Sequence, residues 1–73
     1  FTLGKEELVS LNIFDIQGRL VKSLVNNSYY PSGYHNITWD GTNNLGIQVP
    51  SGMYLYKLVN ENQILTRKMV LMK

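Results

Sequence analysis

The chain has 73 residues, no cysteine and a formal net charge of +2, from seven Lys and Arg against five Asp and Glu. A chain of this length forms at most one domain and buries only about 60% of the surface its unfolded form exposes, so its core is thin. Without thiols, neither a disulfide nor a thiolate metal site reinforces that core. The basic residues Lys5, Arg19, Lys22, Lys57, Arg67, Lys68 and Lys73 are scattered, with only Arg67 and Lys68 adjacent. That pattern offers no polybasic patch for nucleic-acid phosphates or lipid headgroups.

The hydrophobic fraction of 44% is adequate for folding, while the charged fraction of 16% lies below the roughly 25% of ordinary soluble domains. Low charge combined with five Tyr, one Trp and many Val, Ile and Leu suits a β module rather than a disordered tail. No apolar run approaches the roughly 20 residues of a transmembrane helix, and no signal peptide is visible. The chain opens on Phe1 rather than Met, which gives the expectation of a module excised from a larger exported protein.

A short strand is expected at Phe1 to Leu3. Leu8 to Phe14 follows, where Val9, Leu11 and Ile13 alternate with Ser10 and Asn12 and share one face. Asp15-Ile16-Gln17-Gly18 reads as a turn, with Asp15 able to bond back to the backbone and Gly18 free to take a positive φ. Arg19 to Val25 is ambiguous. Leu20, Val21, Leu24 and Val25 recur at helical spacing, yet the stretch is short and β-branched, and a strand with a bulge also sets adjacent residues against a core. It is read as a strand.

Asn26 to Gly33 is read as a loop, with Tyr29 and Tyr30 covering the sandwich edge. Tyr34 to Asp40 is read as a strand with His35, Ile37 and Trp39 on one face, and Trp39 as the largest packing element of a thin core. Asp40 to Gly46 and Pro50-Ser51-Gly52 are dense in turn formers. Met53 to Val59 is apolar on both faces, the mark of a central strand. Asn60-Glu61-Asn62 turns the chain, and Ile64 to Met72 closes a hairpin with Leu65, Met69 and Leu71 sharing a face with Arg67. Turn signals every eight to twelve residues or so therefore predict an all-β, immunoglobulin-like antiparallel β-sandwich of about six to seven strands.

Chemistry is sparse. His35 is the only histidine and would have to be the base of any hydrolytic triad, but it sits mid-strand with no nucleophile pattern nearby. One His and no Cys cannot close a tetrahedral zinc site. Asp40, Thr42 and Asn44 fall at alternate positions, as calcium ligands do, yet Ser51 stands where a calcium loop would place its bidentate Glu, so the stretch reads as a turn-rich loop. No catalytic residue, metal or cofactor is expected. Asn26-Asn27-Ser28 and Asn36-Ile37-Thr38 match the short N-glycosylation pattern. Tyr29, Tyr30 and Tyr34 around one loop keep a carbohydrate-binding module in view.

The order of residues is more specific than their composition. Leu11 to Val21 resembles an "aliphatic, x, aliphatic, aromatic, Asp, x, x, Gly, Arg, x, Val" stretch. Ser32 to Gly41 resembles "Gly-x-His-x-aliphatic-x-Trp-Asp-Gly", Val49 to Leu58 resembles "Ser-Gly-x-Tyr-x-Tyr-Lys/Arg-Leu", and Arg67 to Lys73 resembles "Lys-Met-x-Leu-x-Lys". Together these resemble two related families: the C-terminal sorting domains of type IX (Por) secretion substrates and the immunoglobulin-like domain of the flagellar hook-capping protein. Both share the sandwich, so the resemblance supports the fold without choosing between functions.

The closing Lys-Met-x-Leu-x-Lys pattern, and the end of the chain directly after the last strand, favour sorting. The Tyr-Pro-Asn-Pro-like segment that usually leads into the family's first strand has no counterpart here. The resemblance implies a domain read by an outer-membrane translocon and a sortase-like peptidase, delivering a cargo N-terminal to it through the periplasm to the cell surface. Gly52, Tyr54, Lys68 and Lys73 would be the signal-bearing positions. Asp15, Gly18, Trp39, Asp40 and Gly41 would be structural. The last hairpin, Met53 to Lys73, could serve as a platform for edge pairing. The runner-up is an accessory immunoglobulin-like spacer or assembly module.

Overall fold

The computed structural model describes residues 1–61 and 63–72. Among them there is no helix, and six strands run in two antiparallel sheets: β1 (Thr2–Leu3), β2 (Glu7–Asp15), β3 (Leu20–Tyr30), β4 (Gly33–Tyr34), β5 (Gly52–Val59) and β6 (Ile64–Leu71). The larger sheet has the order β3-β2-β5-β6, and β1 pairs with β4 in a two-stranded sheet. This is the expected immunoglobulin-like β-sandwich. β5 is central, paired with β2 on one side and β6 on the other, as its two apolar faces predicted. The expected turn residue Asn62 and the site candidate Lys73 lie outside the described residues.

The core follows from the alternation in β2. Val9, Leu11 and Ile13 point inward and are buried, Val9 completely at 0% exposure. Val9 and Leu11 meet Leu3, Val25 and Leu58, with Phe1, Leu24, Ile37, Tyr56 and Leu65 packed around that cluster. Trp39 is half-buried and stands at the margin rather than the centre; the fully buried side chains are Ile13 and Val9. Burying a Val or Ile side chain contributes about 1.5–3 kcal/mol, so a handful of aliphatics supplies most of the cohesion.

The ambiguous stretch 19–25 is a bulged strand. Against β2, Leu11 pairs with Val25 but Asn12 pairs with Ser23, and Ile13 with Lys22 but Phe14 with Leu20. Each shift inserts an extra β3 residue, which turns the near-helical spacing of its apolar residues into an irregular inward face.

Two expectations are corrected. Asn26 to Gly33 is not a loop: β3 continues to Tyr30, and only Pro31 and Ser32 separate it from β4. The first half of β2 requires a hydrogen-bonding partner, and Tyr30, Tyr29 and Ser28 pair with Glu7, Leu8 and Val9. The polar residues are absorbed by a third bulge, where Asn27 takes φ 49° and its N–H donates to the Ser10 hydroxyl at 3.0 Å. Nor is Tyr34 to Asp40 a strand beyond its first residue. Its burial alternates, with His35, Ile37 and Trp39 inward, but the ladder ends at the Phe1–His35 exchange. Alternation reports where side chains point, and a ladder needs a partner strand as well.

Candidate functional site

The residues singled out in the sequence come from four separate stretches, and most of them converge on one end of the sandwich. At that end the β2–β3 hairpin turns through Ile16-Gln17-Gly18. Asp15 N–H donates to the Arg19 carbonyl at 2.9 Å and Gly18 N–H to the Asp15 carbonyl at 3.0 Å. The Asp15 carboxylate accepts the N–H groups of Gln17 and Arg19 and the Arg19 Nε–H, each at 2.9 Å. Gly18 adopts φ +86°, the left-handed residue that a three-residue hairpin loop with a bulge requires. The Asp-x-x-Gly-Arg signature is thus a self-contained turn.

Asp15 is the register partner of Tyr54 on β5. Tyr54 is buried, and its hydroxyl donates to the Pro50 carbonyl four residues upstream at 2.6 Å, the arrangement of a tyrosine corner. Trp39 packs edge-on against its ring, centroids 5.2 Å apart, and donates from Nε1 to the Thr42 carbonyl at 2.8 Å. Asp40 then folds the chain back. Its Oδ1 accepts the Thr42 hydroxyl at 2.6 Å and the Thr42 N–H at 3.0 Å. Gly41 sits at φ +81°, where a Cβ would lie 3.4 Å from a Leu71 methyl. Leu71 in turn pairs with Gly52.

Hydrogen bonds hold both aspartates in the charged form. Asp15 titrates below the ordinary 3.8, chiefly through the Arg19 backbone N–H. Asp40 is also lowered from 3.8, chiefly through the Thr42 hydroxyl and then its backbone N–H. Each carboxylate is engaged by its own turn, which accounts for its place in the sequence.

Lys68 is one register step from the Tyr54–Met69 pair. It lies mid-β6, exposed, opposite Leu55. The sequence reading missed the part played by Asn43 and Asn44, which it took as generic turn formers. The Asn43 carboxamide oxygen accepts the N–H groups of Leu45 and Ile47, and Asn44 is bonded to the outer edge of β3. Side-chain amides that copy backbone turns are a residue-type signal, but which strand they reach is set by tertiary contacts.

Beneath the 35–39 segment lies a crevice of about 320 Å³, lined mainly by apolar side chains such as Leu11, Ile37, Leu58 and Met69. Its one histidine is committed elsewhere. The His35 ring packs against Phe1 and Tyr30 and its Nε2 lies 2.7 Å from the Pro31 carbonyl. Among the described residues no three His, Cys, Asp or Glu side chains gather as metal ligands would. The three tyrosines around the 31–32 connection are placed differently. Tyr30 packs against Phe1 and His35, leaving Tyr29 exposed on β3 and Tyr34 exposed on β4.

No curated protein and no solved structure matches the chain. The profile of the FlgD Ig-like domain family matches residues 3–63, which takes in every motif at the clustered end up to and including β5 and stops just before β6. On that match the chain belongs to the FlgD Ig-like domain family, a family of non-catalytic modules.

Proposed function

We propose that this module is a C-terminal sorting domain, without catalytic activity of its own, that directs a cargo fused N-terminal to it through the type IX secretion system. Its partners on this reading are an outer-membrane translocon and a sortase-like peptidase, and its route runs through the periplasm to the cell surface. The observation that carries the reading is the placement of the closing Lys-Met-x-Leu-x-Lys stretch. Lys68, Met69 and Leu71 lie on β6, outside the span matched by the family profile. This stretch is the part of the resemblance more typical of sorting domains than of the hook-capping relative.

Gly52 and Tyr54 enter this reading differently from Lys68. Tyr54 is 7% exposed, with its hydroxyl committed to Pro50. It therefore acts by keeping the β5–β6 hairpin in shape, while Lys68 is available for direct contact. Replacing Lys68 and Lys73 by Ala in a full-length cargo tests the idea, because removing the exposed Lys68 side chain changes stability by no more than about 0.5 kcal/mol. Loss of surface delivery with an unchanged unfolding midpoint is the expected result. Undiminished delivery of both that variant and a cargo lacking Met69 to Lys73 would refute the sorting role.

A second reading, an accessory immunoglobulin-like spacer or assembly module, is favoured by one observation. Asp15, Gly18, Asp40 and Tyr54 all spend their polar groups or backbone freedom on the fold itself.

A further inference from the structure

The four-stranded sheet has two outer edges, and they are treated differently. The β3 edge is capped between Val21 and Ser23 by the loop that follows Asp40. Asn44 N–H donates to the Val21 carbonyl at 3.1 Å, the Asn44 side-chain oxygen accepts the Ser23 N–H at 3.0 Å, and Lys22 Nζ reaches the Asn43 carbonyl at 3.4 Å. β6 pairs with β5 alone, and among the described residues nothing hydrogen-bonds its other side. Natural sheets seldom leave a long regular edge open without a purpose or a deterrent.

The phase of the hairpin identifies which groups are open. Asn60 N–H donates to the Gln63 carbonyl at 3.0 Å, which makes that pair a hydrogen-bonded one. The register from Val59–Ile64 to Gly52–Leu71 is uninterrupted, so the alternation of antiparallel pairs makes Leu58–Leu65, Tyr56–Arg67 and Tyr54–Met69 hydrogen-bonded too. The N–H and C=O groups of Ile64, Thr66, Lys68 and Val70 therefore point away from β5, along the open edge.

Charge selects what can pair there. From Gly52 to Leu71 the only acid is Glu61, at the turn and 3.4 Å from Lys5, whereas Lys57, Arg67 and Lys68 lie along the two strands. Arg67 and Lys68 occupy the middle of β6, and the edge is flanked by exposed Ile64 and Val70, at 67% and 62%. A second copy of this chain fits poorly. The two antiparallel registers that overlap most, while matching outward-facing groups, set Arg67 against Arg67 or Lys68 against Lys68. Like charges directly opposite are destabilising.

We propose that the open edge of β6 is a docking site for an extended segment of another protein, with Asp or Glu at its centre and apolar flanks, added as a fifth strand. Backbone pairing supplies affinity and the cations supply selectivity. The same charges that reject basic strands and self-pairing accept an acidic one. The proposal does not depend on the sorting reading, since it holds equally for a spacer or assembly module, and its test is made on the isolated 73-residue chain rather than by export.

The probe is a short peptide of alternating Val and Thr with Asp-Glu at its centre, compared with versions carrying Asn-Gln or Lys-Lys there. Titration into ¹⁵N-labelled protein should protect the amides of Thr66, Lys68 and Val70 from exchange and leave those of Arg67 and Met69, already bonded to β5, unchanged. The Lys-Lys peptide should bind at least about tenfold more weakly, and added salt should narrow the gap. Thr66→Pro removes an outward donor without touching the β5 ladder, so it should abolish binding at a near-native unfolding midpoint. Arg67→Glu with Lys68→Glu should reverse the preference toward the Lys-Lys peptide. Absence of binding, binding indifferent to peptide charge, protection along β3, or self-association through β6 would each overturn the proposal.

Discussion

The indole of Trp39 stands edge-on to the Tyr54 ring, with centroids 5.2 Å apart and ring planes at 73°. Each ring also has its polar tip tied to a different loop, Tyr54 to the Pro50 carbonyl and Trp39 to the Thr42 carbonyl. The pair thus joins the loop after Asp40 to the start of β5, and it is the junction on which the separate motifs meet.

Removing either half of that junction should be measurable in a domain whose total stability is on the order of 4–11 kcal/mol, at about 0.05–0.15 kcal/mol per residue. Tyr54→Phe keeps the ring contact and loses one hydrogen bond, a cost of about 1 kcal/mol. Trp39→Ala removes the ring and should cost about 2–3 kcal/mol, less than the roughly 3–5 of a fully buried aromatic because Trp39 is only half-buried. Urea denaturation followed by circular dichroism measures both. A Trp39→Ala variant no less stable than Tyr54→Phe would show that the edge-on contact adds nothing.

Gly18 and Gly41 share a left-handed backbone, so Ala should cost each of them the backbone penalty of about 1–2 kcal/mol. At Gly18, φ +86°, a Cβ would meet no atom within 4 Å, and at Gly41, φ +81°, it would make an ordinary contact with a Leu71 methyl at 3.4 Å. Gly41→Ala should therefore cost no more than Gly18→Ala, and Gly18→Asn should be milder than Gly18→Ala, since Asn tolerates this region. A clearly larger loss for Gly41→Ala in urea denaturation would show that Leu71 cannot accommodate the added methyl.

Much of this was legible in the sequence, because the local signals agree with the fold. Val9, Leu11 and Ile13 gave the inward face of β2, and the two apolar faces of Met53 to Val59 gave a central strand. What stayed hidden depends on partners distant in the chain. Asn26, Asn27 and Ser28 have loop-like composition, yet β2 recruits them as an edge strand through a bulge. His35, Ile37 and Trp39 alternate as a strand does, yet no ladder forms past His35. The candidate site divides the same way. The turns made by Asp15 and Asp40 are local and readable, whereas the meeting of Asp15, Tyr54, Trp39 and Gly41 at one end is a property of the register.

The contrast between inner and outer positions gives a further expectation. Ile13 is 2% exposed and Leu45 is 82% exposed. Ile13→Val leaves a small cavity in a thin core and should cost about 1 kcal/mol, while Leu45→Ala should stay within about 0.5 kcal/mol of the parent despite the larger change. Paired denaturation curves decide it. A Leu45→Ala loss as large as that of Ile13→Val would mean that the loop after Asp40 makes packing contacts through Leu45.

Acid should loosen this module through its two turns. Asp15 is held below the ordinary carboxyl value of 3.8, first by the Arg19 backbone N–H, with further help from the Arg19 side chain and the Gln17 N–H. Asp40 is held below it by the Thr42 hydroxyl and N–H, with the Lys22 charge assisting. A carboxyl whose folded value lies below its unfolded one binds fewer protons when folded. Its stabilisation is therefore complete above the unfolded value and is lost as pH falls through the folded one. The unfolding midpoint should stay level from neutral pH down to about pH 5 and fall below about pH 4. Combining Asp15→Asn with Asp40→Asn should lower the midpoint at neutral pH and flatten the acid limb, because Asn keeps an acceptor but does not titrate. Carboxyl NMR titration supplies the independent check. If Asp15 and Asp40 titrate at or above 3.8 in the folded chain, the acid limb belongs to other carboxyls and the two turns are not its origin.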